Sequence, residues 1–121
     1  MAPTMLALTE NISTQLLLTS RLEALGYQVT ALTTAATFDR AVEASGYDWI
    51  LLDAAGVPRP RQRFLQHLRK HCGSARIVWC GAAPPTSALA IVVTFDRPLA
   101  YKELAQYFAR WASPRRAASA G

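Results

Sequence analysis

Asp53 closes the apolar run Trp49-Ile50-Leu51-Leu52, and Glu10 and Asp96 also stand just beyond short apolar runs, with Arg97 directly after Asp96. Carboxylates at the ends of buried runs are the groups here best placed for chemistry. Glu10 and Asp53 together could ligate a metal ion, and Arg97 could pair with Asp53. The plainer reading is a solvated rim at Glu10 and an Asp53 paired to Arg97, which would hold its carboxyl below the ordinary range. Asp96 adjoins Arg97 in the chain, so its side chain is expected to point away. His67 and His71 are four apart on one predicted helix, a spacing that can bind a metal. With no acid arranged nearby, and only Cys72 as a further ligand type, an exposed pair is expected. No nucleophile elbow, P-loop, dinucleotide fingerprint or zinc cluster occurs. No nucleophile–base pair is readable either, so no enzyme is expected.

These residues need elements to position them, and the pattern alternates strand and helix. Met5 to Leu8 is a short strand. Asn11 caps a helix over Ile12 to Leu25, with Leu18, Leu22 and Leu25 on one face and Gly26 as a stop. Tyr27 to Thr33 reads as a strand near an edge. Ala35 to Ala44 is a helix with Phe38, Ala41 and Val42 inward. Trp49 to Leu52, ending in Asp53, and Ile77 to Cys80 are continuous apolar runs of the kind that form central parallel strands. Between them Pro60 opens a helix whose Phe64, Leu65 and Leu68 face the core. The segment Gly81 to Ser87 has room for little more than one helical turn. Ile91 to Phe95 is a fifth strand, and a last helix runs from Pro98 to about Trp111. Five strands alternating with helices imply a parallel sheet covered on both faces, with its site beyond the carboxyl ends of the strands. Thr9, Glu10, Asp53, Gly81 and Asp96-Arg97 all fall there.

In this order the chain resembles the receiver domain of two-component response regulators and hybrid sensor histidine kinases, over about residues 5 to 112. Trp49-Ile50-Leu51-Leu52-Asp53 matches the phosphoacceptor strand. Arg97-Pro98-Leu99 leading into Lys102-Glu103-Leu104 matches the segment after strand five, and Leu25-Gly26-Tyr27-Gln28-Val29 matches the turn into strand two. The resemblance implies a flavodoxin-like (βα)5 three-layer sandwich with a parallel five-stranded sheet, its fourth helix short or replaced by a loop. It implies Asp53 at the phosphoacceptor position, with Thr9, Glu10, Gly81 and Arg97 around it. The departures are pronounced. Thr9-Glu10 stands for an acidic pair, so one metal carboxylate is gone. Gly81 stands for the switch hydroxyl, Arg97 for a lysine and Thr94 for the switch aromatic. Because Mg2+ demands short, near-octahedral oxygen contacts, losing an anionic ligand weakens it. Arginine's planar fork does not replace a compact ammonium.

The resulting expectation is a pseudo-receiver: a protein-interaction and signal-relay module, without a cofactor and without ordinary Mg2+-dependent phosphorylation. It would dock a histidine kinase, an output domain or a second copy of itself. Two alternatives stand beside it. One is a working phosphoreceiver using Asp53 with Mg2+. The other is a nucleotide or small-ligand sensor at the strand-end crevice, with Arg97 and the Arg59–Arg63 cluster as anion contacts. The last helix carries Tyr101, Leu104, Phe108 and Trp111 on one stripe, most of it expected as core, and Tyr101, Tyr107, Phe108 and Trp111 are the candidate interface. Arg59, Arg61 and Arg63 form a basic patch in a stretch that holds no acid between Asp53 and Asp96. The plainer reading is a solvated helix start; positive charge there is unfavourable, which keeps a functional reading open, with an acidic protein surface as its best candidate. Nucleic acid is disfavoured because no aromatics interleave the arginines.

Composition sets the outer bounds. The chain has 121 residues, 51% hydrophobic and 17% charged, with a net charge of +5. That suits one domain with its own core and argues against a disordered chain. No apolar run approaches the ~20 residues of a membrane helix, so no membrane contact by this domain is expected. No signal peptide is visible. Two cysteines, Cys72 and Cys80, make no disulfide framework, and a reducing cytoplasm is the expected compartment. Residues 1–112 are the expected domain, and 113–121 a disordered tail or truncated linker.

Overall fold

The apolar runs become the strands of one sheet in this computed structural model, which describes residues 2–44, 46–81, 91–95 and 101–120, the side chains of 101 and 112–120 excepted. The elements follow as β1 (Thr4–Leu8), α1 (Ile12–Glu23), β2 (Gln28–Leu32), α2 (Ala35–Ala44), β3 (Trp49–Asp53), a 3-10 turn (Ala54–Gly56), α3 (Arg61–His71), β4 (Arg76–Cys80), β5 (Ile91–Phe95) and α4 (Tyr101–Ala120). All strand pairs are parallel and the order is β2-β1-β3-β4-β5. The winding therefore reverses between β1 and β3, the switch point where open α/β sheets place their sites. Glu10 and Asp53 stand at that point.

Period-two alternation divides the core into two layers. Met5, Ala7, Trp49, Leu51, Val78 and Cys80 pack on one face with Leu18 and Leu22 of α1 and Leu104 and Phe108 of α4. Leu6, Leu8, Ile50, Leu52, Ile77 and Trp79 pack on the other with Phe38 and Val42 of α2 and Phe64, Leu65 and Leu68 of α3. The sandwich thus has the expected three layers. The expected short or missing fourth helix falls on residues 82–90, outside the described residues.

Local signals explain the element ends. The Asn11 side chain accepts a hydrogen bond from the N–H of Thr14 at 3.0 Å, satisfying an orphan donor of α1. Gly26 takes φ +99° just past the helix, a conformation that costs glycine little. Pro60 is the N-cap of α3 rather than its first helical residue. The last helix was expected to end near Trp111, and its backbone instead stays helical to Ala120. The strong helix formers Arg115, Arg116, Ala117, Ala118 and Ala120 favour that continuation.

Candidate functional site

Asp53 ends β3 almost wholly buried, at 1% exposure. Both of its carboxylate oxygens are engaged by backbone. Oδ1 accepts from the N–H of Ala55 and Oδ2 from the N–H of Glu10, each at 3.2 Å. The first contact caps the 3-10 turn, and the second ties the end of β3 to the end of β1. Burial raises the Asp53 carboxyl above its ordinary value. The two N–H donors oppose that rise, and the negative charge of Glu10 adds to it. A carboxyl held low by Arg97 was expected. Desolvation reverses that direction, and Arg97 itself lies outside the described residues, as does Asp96.

The neighbours of Asp53 are arranged less openly than a rim. Thr9 is fully buried, and its hydroxyl and N–H both donate to the Leu32 carbonyl of β2, at 3.2 and 2.8 Å. It is a structural tie rather than a rim residue, because a buried hydroxyl must find an acceptor. Glu10 is exposed. Gly81 is buried at φ +128°, and its N–H donates to the Phe95 carbonyl at 2.7 Å. A Cβ at Gly81 would lie 2.6 Å from the Ala54 Cβ. At Gly56 a Cβ would meet the Thr9 carbonyl oxygen at 2.9 Å. The turn after Asp53 is therefore closed down on the ends of β1 and β4 through two glycines.

The solved structures similar to this chain share its architecture. The receiver domain of the sensor histidine kinase PA1611 from Pseudomonas aeruginosa PAO1, solved with a magnesium ion in its active-site cleft, superposes with a TM-score of 0.69 at 20% identity, covering 93% of this chain and 99% of that one. A CheY-like receiver domain from Methanospirillum hungatei JF-1 gives a TM-score of 0.75 at 13% identity, over 96% and 98% of the two chains. The receiver domain of the hybrid histidine kinase CckA gives 0.66 at 19% identity, over 88% and 96%. This chain has the receiver-domain fold. No family model matches the sequence, and no curated protein matches it.

Within that fold the described residues at Asp53 offer little of the donor set of a magnesium ion. Mg2+ is held through carboxylates and waters in strict octahedral geometry. Here one carboxylate is buried with both oxygens on backbone N–H groups, Glu10 is exposed, and Thr9 has turned its hydroxyl to β2. Among the described residues, the group able to offer three metal donors lies elsewhere, at Glu43, His67 and His71.

The expected interface divides in two. Phe108 is fully buried, its ring packed edge-on against Trp49 at 5.0 Å and Tyr27 at 5.4 Å. It is core, not interface, because α4 lays its apolar stripe on β3. Tyr107 is partly buried against the same cluster, and the Tyr101 side chain lies outside those described. Trp111 remains 48% exposed, with the Arg76 guanidinium 4.3 Å from its ring centre. In the basic patch, Arg59 and Arg63 are exposed, while Arg61 stacks its guanidinium over Trp79 at 5.2 Å. Part of its cost at a helix start is thereby offset.

Sequence reasoning missed two features. Ile12 and Leu16, four apart on α1, are each 65% exposed, with Leu17 beside them. The unbroken run Leu16-Leu17-Leu18 was the signal, since one helix face cannot bury all three. His67 also has an acidic neighbour after all, with its Nε2 3.0 Å from Glu43 Oε2. The matching four-residue spacings of Asp39 with Glu43 and His67 with His71, on consecutive helices, could have shown it.

The described residues contain no helix long and apolar enough to cross a membrane.

Proposed function

We propose that this chain is a signal-relay module of two-component signalling that works by docking other proteins, without Mg2+-supported phosphorylation at Asp53. The contact of Gly81 with Ala54 carries the reading. It packs the end of β4 against the turn that follows Asp53, leaving no space for a side chain where receivers carry their switch hydroxyl. A phosphoryl group on Asp53 would then meet neither a hydroxyl from β4 nor a full set of acids to hold a neutralising cation. Positioned countercharge is what phosphoryl transfer depends on.

On this reading Asp53 has a structural role. It collects the N–H groups of Ala55 and Glu10 and holds the β1 and β3 ends in one arrangement. The output is a constant shape. The apolar face of α1 at Ile12, Leu16 and Leu17, and the exposed Trp111 of α4, suit contact with a histidine kinase, an output domain or a second copy.

The deciding experiment is incubation of the chain with acetyl phosphate or phosphoramidate and millimolar Mg2+, followed by intact mass, with Asp53→Ala as control. No added phosphoryl group is expected. A stoichiometric gain that disappears in Asp53→Ala would overturn the reading and make the chain a working phosphoreceiver.

A further inference from the structure

Helices α2 and α3 lie side by side on one face of the sheet, joined through Phe38 and Phe64, whose rings are 5.6 Å apart, and through Val42, Leu65 and Leu68. That packing fixes which sides of the two helices meet. Residues four apart share a helix face, so Asp39 and Glu43 form a pair on α2, and His67 and His71 form a pair on α3. The two pairs converge at the seam. His67 Nε2 approaches Glu43 Oε2 to 3.0 Å, and the two imidazole rings are 4.6 Å apart with planes inclined by 43°. One ligand atom from each of Glu43, His67 and His71 lies within 4.8 Å of the others. Ligands of a tetrahedral zinc, each ~2.0–2.1 Å from the metal, sit about 3.3 Å from one another. Small side-chain rotations would close the set.

Two buried atoms at this seam lack what a metal would supply. His67 Nε2 is buried and, beyond its 3.0 Å approach to Glu43 Oε2, has no hydrogen-bond partner. Asp39 Oδ1 is likewise buried without a partner, and its carboxyl lies within electrostatic reach of His67, Glu43 and His71. Buried polar atoms without partners are rare in folded proteins and call for a reason. We propose that Glu43, His67 and His71, with Asp39 beside them, form a site for a divalent transition-metal ion of the zinc class, bridging α2 and α3. Imidazole ligands select zinc, copper or nickel over the oxygen-seeking Mg2+ and Ca2+. Two carboxylates balance the charge of the ion. The site owes nothing to Asp53, so it stands or falls separately from the relay reading.

The test is calorimetric titration of the full chain, purified without a histidine tag and freed of metal by chelator, with zinc chloride and with magnesium chloride. One zinc per chain is expected, with no magnesium response and with tetrahedral visible bands when cobalt(II) replaces zinc. His71→Ala, checked for folding by circular dichroism, should weaken zinc binding beyond the ~10–100-fold typical of losing a supporting residue. Glu43→Gln should weaken it too, while Cys72→Ser and Asp53→Ala should bind zinc like the parent chain. If His67→Ala fails to fold, the His71→Ala result decides. Absence of zinc binding, binding that survives His71→Ala together with Glu43→Gln, or binding lost in Cys72→Ser would each overturn the proposal.

Discussion

Burial and two backbone N–H donors pull the Asp53 carboxyl in opposite directions, and burial wins. The folded chain therefore binds this proton more tightly than the unfolded chain does. Between the ordinary value of 3.8 and the raised one, stability falls as pH rises, and above the raised value the penalty is complete. Asp53→Asn cannot titrate. Urea denaturation of both proteins from about pH 4 to neutrality should thus show the parent losing stability relative to the variant. The opposite slope would reveal an ion-paired carboxylate, the state that Arg97 suggested from sequence. Gly81 makes a second prediction at this scale. Gly81→Ser must place a Cβ 2.6 Å from that of Ala54, at φ +128°. The crowding and the strained backbone should together cost about 2 kcal/mol or more. A hydroxyl-bearing side chain at this position would therefore unsettle the fold. That Gly81 stands at a strand end beside Asp53 was legible in the sequence, whereas its close approach to Ala54 was not, because the two meet through the pairing of β3 with β4.

Single elements were legible wherever a periodic pattern and a punctuating residue agreed. Asn11 and Gly26 bracket α1, and Leu18 and Leu22 are its buried residues. The same helix shows where such reading stops. Leu16 and Leu18 are alike in kind and two apart, yet one is 65% exposed and the other 1%. Leu18→Ala should cost about 2–5 kcal/mol, whereas Leu16→Ala should stay within about 0.5 kcal/mol. Asn11→Ala removes the cap and should cost about 0.5–2 kcal/mol. Thermal or urea unfolding of the three variants checks all of these. A large loss from Leu16→Ala would mean that the α1 face is covered by another copy of the chain under the conditions of measurement. On α4, spacing alone grouped Phe108 with Trp111. Both rings meet Trp49 edge-on, and what separates them is burial: Phe108 is also packed against Tyr27 and fully buried, while Trp111, with the Arg76 guanidinium over its ring, stays 48% exposed.

At the scale of the molecule, alternation along five strands was enough to imply a covered parallel sheet, but not which helices share a face. The pairing of α2 with α3 brings Glu43 to His67, and that is a property of the crossovers rather than of either helix. Among the described residues, the same topology leaves two cores on opposite faces of the sheet. Leu18 belongs to one and Ile50 to the other. Mutations with no shared partner add to within about 0.3–0.5 kcal/mol. Ile50→Val should cost about 0.5–1.5 kcal/mol alone. Combined with Leu18→Ala, it should give the sum of the two losses, measured by urea denaturation of the single and double variants. Additivity would mean that a partner docked on α1 alters its own face of the sheet and leaves α2 and α3 undisturbed, as a module of constant shape requires. A coupling of about 1 kcal/mol or more would show that β3 passes packing changes from one face to the other. Docking at α1 could then be felt at the Glu43–His67 seam on the far side.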